Sequence, residues 1–175
     1  MIIKAGIEDA KVLSEMGAET FIASHRNSAP AHEIDRYVKE TYNVEAITEK
    51  LTNPQNIYHI IKHENRYAGF SKMILNSSYP GIAAKDVSKM DQIYLLNTFQ
   101  GLKLGAKLLQ FNIGLSRTSK EAGMWLIVWL GNTQAMNFYI RFGFTVVKED
   151  VFYLTETHTN RCYIMFHQYG NDNAV

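Results

Sequence analysis

Apolar residues in the first fifty positions follow strand spacing briefly and helical spacing afterwards. Ile2 and Ile3 predict a short first strand. Residues 8–25 predict a helix, because their apolar positions recur on one helical face, and residues 30–51 predict a second helix for the same reason. The positions that carry these two patterns are Val12, Leu13, Met16 and Phe21, then Tyr37, Val38, Tyr42, Ile47 and Leu51. The chain is therefore expected to begin with one strand and two helices.

The remaining segments predict a sheet with two further helices. Polar residues 63–66 separate two strand-like segments, which predicts a β-hairpin. Residues 124–130 are continuously apolar, which is typical of a strand covered by helices on both faces, so we place this strand at the centre of the sheet. In order, the predicted elements are strands over 57–62, 67–75 and 90–96, a helix over 104–117, a strand over 124–130, a helix over 133–141, and strands over 145–154 and 162–167.

Composition limits the class of protein. A chain of 175 residues that is 46% hydrophobic and 20% charged can bury one core, so we predict a single domain over residues 1–167 and a polar C-terminal tail over residues 168–175. The net charge of +1 offers no overall field that would attract nucleic acid or an anionic membrane. No repeat or interdomain linker interrupts the pattern.

Cysteine and histidine usage narrows the class further. The single cysteine, Cys162, cannot form an intramolecular disulfide and suits a reducing compartment, where we expect it to be a small apolar strand residue. Residues 1–11 contain no continuous apolar signal segment, and the run over 124–130 is too short to cross a bilayer. The six histidines show no metal-ligand spacing. We therefore expect a cytoplasmic protein that binds no metal, no nucleic acid and no membrane.

The first segment with candidate chemistry covers residues 93–107 and leads from a strand through a polar turn into a helix. Gly101 and Gly105 flank the start of that helix. Free backbone N–H groups and the positive end of the helix dipole form an anion site there, which suits a pyrophosphate. A helix start with two convenient glycines explains this segment equally well when it is taken alone, because both the Walker pattern and the full dinucleotide glycine spacing are missing.

The second segment follows the apolar strand directly and covers residues 132–144. Ala135, Phe138, Tyr139 and Phe142 fall near one helical face, and Gly143 can end the helix in the left-handed conformation. A buried aromatic stripe would explain this pattern if it stood alone. The two segments in this order, one strand apart, are harder to explain by packing.

Together the two segments resemble the GNAT superfamily of N-acetyltransferases. The family's phosphate loop reads Gln/Arg-x-x-Gly-x-Gly/Ala, and its later motif reads Asn-x-x-Ala-x-x-Phe-Tyr followed by Gly-Phe. Lys103 replaces the middle glycine of the loop, and its backbone amide can still face phosphate if its φ is negative. Residues 125–129 and 163–165 are most similar to the bacterial spermidine and polyamine acetyltransferase branch. The residues that match the motifs are Gln100, Gly105, Asn132, Ala135, Phe138, Tyr139, Gly143 and Phe144.

The resemblance covers nearly the whole chain and implies an α/β (α+β) fold. This is a GNAT-like mixed, mostly antiparallel sheet of six to seven strands flanked by about four helices, with a cleft between splayed central strands. It also implies acetyl-CoA as cosubstrate, without a metal, in a monomer or homodimer. The cofactor-binding residues that it implies are Ile93, Tyr94, Leu95, Gln100, Gly101, Leu102, Lys103, Leu104, Gly105, Ala106, Asn132, Phe138 and Tyr139.

Direct acetyl transfer to a primary amine sets three chemical requirements. The amine must lose a proton, the thioester carbonyl must be polarised, and the departing thiolate must gain a proton. The resemblance implies that the Leu95 N–H steadies the oxyanion and that Tyr139 is the general acid. Asp91 lies where relatives often carry a glutamate that takes the amine proton through water, and a water chain or an already neutral amine is the alternative.

The acceptor is a primary amine under this hypothesis, with spermidine or another polyamine as the favoured example. Acidic residues between Glu33 and Glu49, Asp35 among them, either form a solvated helix face or meet such a polycation. A protein or peptide N-acetyltransferase and a non-catalytic acyl-CoA-binding module are the alternatives.

Overall fold

Three helices follow the first strand in the computed structural model, which describes residues 1–170. Strand β1 covers Ile2–Lys4, and helices α1, α2 and α3 cover Ala10–His25, Ala31–Thr41 and Val44–Thr52. The single helix predicted over 30–51 is thus two helices, because Asn43 ends one and begins the next. The Asn43 Nδ2 donates to the Lys39 carbonyl oxygen at 2.9 Å, and the Asn43 Oδ1 accepts from the Ala46 N–H at 2.8 Å.

The other predicted elements are all present, with ends that differ by a few residues. Strands β2, β3 and β4 cover Asn56–His63, Arg66–Ile74 and Val87–Leu95, and helix α4 covers Leu104–Thr118. Strand β5 covers Gly123–Trp129, helix α5 covers Thr133–Arg141, and strands β6 and β7 cover Thr145–Tyr153 and Thr159–Gln168. Of the predicted tail over 168–175, Gln168 ends β7 and Tyr169 is buried, with its N–H bonded to the Ala122 carbonyl at 2.9 Å. Residues 171–175 lie outside the described residues.

The seven strands form one sheet in the order β1-β2-β3-β4-β5-β7-β6. Every neighbouring pair is antiparallel except β4 and β5, which are parallel. This confirms the predicted mixed, mostly antiparallel sheet, with five α-helices flanking it.

Strands β4 and β5 separate after a short region of pairing. Their register ends where Lys89 pairs with Trp125. Just beyond it, Asp91 is an extra residue in β4, because Lys72 of β3 pairs with Gln92 whereas Met73 pairs with Met90. A bulge of this kind bends the strand that contains it. The expected cleft therefore lies between the C-terminal halves of β4 and β5.

The two faces of β5 are covered differently, which explains its continuous apolar sequence. Met124, Leu126 and Val128 are buried in a core that includes residues of α4 and α5. Trp125 is covered by the loop after β3 instead of a helix: its Nε1 donates to the Ser77 carbonyl at 2.6 Å. On this second face, a loop covers Trp125 in place of the predicted helix, whereas Trp129 faces His25 of α1.

Candidate active site

The main chain of β4 presents alternate peptide groups to the cleft. The Leu96 N–H donates to the Ala68 carbonyl of β3 at 2.9 Å, so this peptide group points away from the cleft. Peptide groups alternate in direction along a strand, so those of Leu95 and Ile93 face the cleft and that of Tyr94 faces β3. Two of the three strand residues predicted to hold a cofactor through their main chain are therefore oriented for that role. The Tyr94 side chain lines the cavity between the helices and the sheet.

The predicted phosphate loop leads from the end of β4 into an uncapped helix start. A turn of 3-10 helix over Asn97–Phe99 is followed by Gly101, which has a φ of +80° that favours glycine. No side chain caps the N-terminus of α4, and its first intrahelical bond runs from the Lys107 N–H to the Lys103 carbonyl at 3.1 Å. The N–H groups of residues 104–106 are therefore free to bind an anion beside the cleft.

The side chains of this loop differ in their exposure. Leu104 is buried and anchors the start of α4 against the core, whereas Leu102 is exposed. Gln100 is exposed, and its Nε2 donates to the Asn97 Oδ1 at 3.0 Å. The Leu102 and Gln100 side chains thus lie on the surface of the loop, while Leu104 holds the start of α4 in the core.

Lys103 adopts the left-handed conformation, with a φ of +57° and a ψ of +15°. The sequence hypothesis required a negative φ at this residue for its amide to face phosphate, and that condition is not met. The backbone instead keeps a conformation that glycine adopts without cost and that other L-residues adopt at a cost of roughly 1–2 kcal/mol. Lys103 therefore strains the loop locally.

We expect Lys103→Gly to stabilise the protein, because glycine relieves this strain. The expected gain is up to about 1 kcal/mol in the free energy of unfolding, which raises the Tm by about 2–4 °C in a chain of this size. Lys103→Ala is the matched control, since it removes the charge and keeps the left-handed strain. Thermal unfolding of the three proteins tests this, and equal Tm values for Gly and Ala variants would contradict it.

Helix α5 brings its aromatic residues against the phosphate loop. Asn132 caps α5, because its Oδ1 accepts from the Ala135 N–H at 3.0 Å. A Cβ atom added to Gly105 would lie 3.4 Å from the Leu95 Cδ1 and 3.9 Å from the Phe138 Cζ. A single carbon at Gly105 would thus be in ordinary van der Waals contact with β4 and α5, and a larger side chain would not fit between them.

Tyr139 is buried beside this junction. Its ring lies 5.3 Å from that of Phe138 and 5.7 Å from that of Phe144, measured between centroids. Burial raises the pKa of Tyr139 well above its ordinary value, so the phenol stays protonated. Burial is also the largest cause of the raised pKa of Tyr94, to which Tyr37, Tyr139 and Asp91 contribute electrostatically. Tyr139 belongs to the core against which Ile93 of β4 packs, and it therefore lies next to the strand that borders the cleft.

Asp91 is held between two lysines. Its Oδ2 lies 2.9 Å from the Lys72 Nζ and its Oδ1 lies 2.6 Å from the Lys89 Nζ. Burial acts to raise the pKa of Asp91, but Lys89 and Lys72 outweigh burial and leave the pKa below its ordinary value. A carboxylate with a lowered pKa is a weak base, so this pairing weakens the case for Asp91 as proton acceptor.

A cavity of about 120 Å³ lies between the ends of α1 and α2 and the sheet. It contains Asp91 and Lys89, and Gln92 donates from Nε2 to the Tyr42 hydroxyl at 3.0 Å. The buried Gln92 Oε1 has no hydrogen-bond partner within residues 1–170. Six aromatic side chains form much of the wall: Phe21, Tyr37, Tyr42, Tyr94, Trp129 and Phe152. The sequence pattern assigned Phe21, Tyr37 and Tyr42 to helix faces and could not separate cavity walls from core.

The acidic residues of α2 lie outside this cavity. Glu33 is buried, and its carboxylate accepts from the Thr155 and Thr157 hydroxyls at 2.6 Å each, which ties α2 to the loop between β6 and β7. These hydrogen bonds lower the pKa of Glu33. Asp35 is exposed on α2. Glu33 therefore has a structural role in place of the predicted contact with a polycation.

We expect Glu33→Gln to lower the Tm by a few degrees at pH 7, because the amide cannot accept both threonine hydroxyls as the carboxylate does. A group whose pKa is lowered by folding stabilises the folded state above its unfolded pKa, and this is lost as the pH falls through the folded pKa. The Tm difference from the parent protein should therefore shrink below pH 4.5, the ordinary pKa of the carboxyl. Asp35→Asn is the matched control on the same helix, and a pH-independent difference for Glu33→Gln would contradict the prediction.

The described residues offer neither a metal site nor a membrane-spanning helix. Within residues 1–170, no three His, Cys, Asp or Glu side chains are grouped so that they could hold a metal ion. In the same part of the chain, no helix combines the length and apolarity that crossing a membrane requires.

Comparison with known proteins gives one family match and two kinds of relative. The sequence profile of the "Acetyltransferase (GNAT) family" matches residues 20–144. An uncharacterised N-acetyltransferase of Lactobacillus delbrueckii subsp. lactis is 24% identical over 153 residues, which cover 87% of this chain and 88% of the relative. An uncharacterised N-acetyltransferase of Mycobacterium tuberculosis is 27% identical over 153 residues, with coverages of 87% and 93%.

Two solved structures share the fold. The PaiA N-acetyltransferase of Thermoplasma acidophilum, in complex with coenzyme A, has a TM-score of 0.78 at 20% identity, covering 97% of this chain and 98% of its own. A ribosomal-protein-alanine N-acetyltransferase of Brucella melitensis has a TM-score of 0.72 at 15% identity, covering 97% and 99%. The two motifs therefore identified the family correctly, whereas the polyamine branch stays a prediction.

Proposed function

The chain belongs to the acetyltransferase (GNAT) family, and from that premise we propose that it transfers an acetyl group from acetyl-CoA directly to the primary amine of a small molecule. One observation carries the proposal: the uncapped start of α4 lies directly beside the cleft where β4 leaves β5. The anion site would bind the pyrophosphate of acetyl-CoA, and the exposed peptide groups would bind the arm that ends in the thioester.

The proposed roles follow from where each group lies. Residues 100–106 hold the pyrophosphate through main-chain N–H groups, and Ile93 and Leu95 hold the arm that carries the thioester. The Leu95 N–H donates to the oxyanion that forms when the amine attacks, because this N–H faces the cleft. Tyr139 donates its proton toward the departing sulfur. Burial keeps the phenol protonated and makes it a weak acid, so the proton moves only as negative charge builds on the sulfur.

Two classes of acceptor are distinguished by charge and shape. A polyamine is suggested by the resemblance of residues 125–129 and 163–165 to that branch. A primary amine on an apolar or aromatic body is favoured by the aromatic cavity wall. Among the described residues that line the cavity, Asp91 is the single carboxylate, and it is already paired with Lys72 and Lys89, so a polycation would meet positive charge beside it.

A CoA-release assay over a panel of amines tests the proposal. The panel contains spermidine, 2-phenylethylamine, an aminoglycoside, single amino acids and a short peptide. We expect release with at least one small amine and faster turnover of 2-phenylethylamine than of spermidine. Binding of acetyl-CoA without CoA release from any amine would favour the non-catalytic acyl-CoA-binding module. Turnover of the peptide alone would assign the chain to protein acetylation.

A further inference from the structure

His25 ends helix α1 at the wall of the aromatic cavity. Its ring stacks on that of Phe21, with the centroids 4.2 Å apart and the planes 10° from parallel. On the side of the sheet, the ring centroid lies 6.3 Å from that of Trp129 and 6.5 Å from that of Tyr94. The imidazole therefore borders the space between β4 and β5 where an acceptor would approach the thioester.

The hydrogen-bonding groups around the His25 Nδ1 indicate which ring nitrogen carries the proton. The Ser24 Oγ donates its single proton to the Thr20 carbonyl at 2.8 Å, and it lies 2.7 Å from the His25 Nδ1. A hydroxyl that donates to the Thr20 carbonyl accepts from Nδ1–H, and one that turned to donate to Nδ1 would give up its bond to that carbonyl. The Phe21 carbonyl, 3.3 Å from Nδ1, is an acceptor only. The proton is thus assigned to Nδ1, which leaves the lone pair on Nε2.

The other ionisable groups that face His25 across the cavity are a paired carboxylate with its lysines, three tyrosines and one cysteine. On β4, Asp91 is ionised and paired with Lys89 and Lys72. The tyrosines that face the cavity from α2, the α2–α3 junction and β4 have pKa values raised chiefly by burial, and Cys162 on β7 has a raised pKa for the same reason. Burial, partly opposed by the hydrogen bond to the Phe21 carbonyl, lowers the pKa of His25 and keeps it neutral at pH 7.

We propose that His25 is the general base of the reaction and that it takes the proton from the acceptor ammonium through Nε2. The inference rests on the proposed acetyl transfer. The ammonium gives one proton to Nε2, and the free amine attacks the thioester carbonyl carbon. As the C–S bond breaks, the sulfur takes the proton of Tyr139, and the second nitrogen proton passes through solvent to the Tyr139 phenolate, which restores the phenol. The products are the acetamide, CoA thiol and one proton that leaves from His25.

Replacing His25 by Gln should lower kcat/KM for the acceptor by about 10²-fold at pH 7, the usual effect of losing a positioned base. In the parent enzyme, kcat/KM should fall as the pH drops below the ordinary histidine value of 6.5. In the variant, this fall is replaced by a steady rise toward the pKa of the amine, because only the free amine reacts. The deficit should therefore shrink at high pH and with a β,β-difluorinated acceptor, whose ammonium loses its proton much more readily.

Two further variants separate chemistry from structure. His63→Gln, at the end of β2 and away from the cavity wall, is the matched control and should behave like the parent enzyme. Ser24→Ala keeps the imidazole but removes the acceptor of Nδ1–H, so it should lower kcat/KM several-fold while the pH limb remains. Unchanged acetyl-CoA affinity in all three variants shows that they fold.

Nitrogen NMR of the histidine ring gives a measurement that does not depend on activity. The parent protein should show the Nδ1–H tautomer of His25 at pH 7, and an Nε2–H tautomer would overturn the inference. If the parent enzyme turns over amines and His25→Gln keeps both its rate and its pH profile, only the role of His25 is overturned. If the parent protein releases no CoA with any amine, acetyl transfer itself is overturned, and the base role falls with it.

Discussion

Replacing Tyr139 by Phe lowers kcat by about 10²-fold and leaves the affinity for acetyl-CoA nearly unchanged, if Tyr139 protonates the departing sulfur. Phenylalanine keeps the ring that packs against Phe138 and Phe144, so the variant should fold like the parent enzyme. The hydroxyl is the only group removed. Because donation to sulfur matters in the transition state more than in the bound ground state, the loss should fall on kcat.

Tyr153→Phe is the matched control, because Tyr153 is an exposed tyrosine on β6. It should keep the parent kcat. The raised pKa of Tyr139 adds a second expectation, since a phenol that stays protonated contributes no alkaline limb to kcat at accessible pH. Steady-state rates for the three proteins test both points. An unchanged kcat for Tyr139→Phe would remove this residue from the mechanism.

The sequence alone predicted the features that depend on residues close together in the chain. The spacing of apolar residues gave the order of strands and helices, and residues 132–144 marked a capped helix that ends at a glycine with a φ of +83°. The loop predicted to bind phosphate stood out for the same reason, because its glycines and the helix start lie within a few residues of each other. Lys103 shows where this fails, since sequence gave no reason to expect a lysine with a positive φ.

Properties that depend on distant contacts could not be predicted. Asp91 looked like a base because of its place in β4, but Lys72 comes from another strand, and pairing with Lys72 and Lys89 changes its proton affinity. Glu33 looked solvated or substrate-facing, and the threonines that bind it lie more than 120 residues away. His25 belongs to no sequence motif. Its proposed role depends on Trp129 and Tyr94, which are far away in sequence and face it across the cavity.

Gly105→Val should weaken acetyl-CoA binding by about 10- to 100-fold, which corresponds to about 1.4–2.7 kcal/mol. A single added carbon at Gly105 would already lie 3.4 Å from the Leu95 Cδ1. The further methyl groups of valine would push the start of α4 away from β4 and obstruct approach to its N–H groups. Overpacking of this kind typically lowers the free energy of unfolding by about 1–3 kcal/mol.

Gly114→Val is the matched control for this last substitution. Gly114 lies in the same helix, and nothing lies within 4 Å of the Cβ that a side chain would add there. Both variants put a β-branched residue into α4, but only the one at Gly105 alters the junction with the cleft. Gly105→Ala should lie between parent and valine variant, close to the parent, because alanine adds only the first carbon. Calorimetric titration with acetyl-CoA compares the four proteins, and equal affinity of Gly105→Val and Gly114→Val would place the pyrophosphate somewhere other than the start of α4.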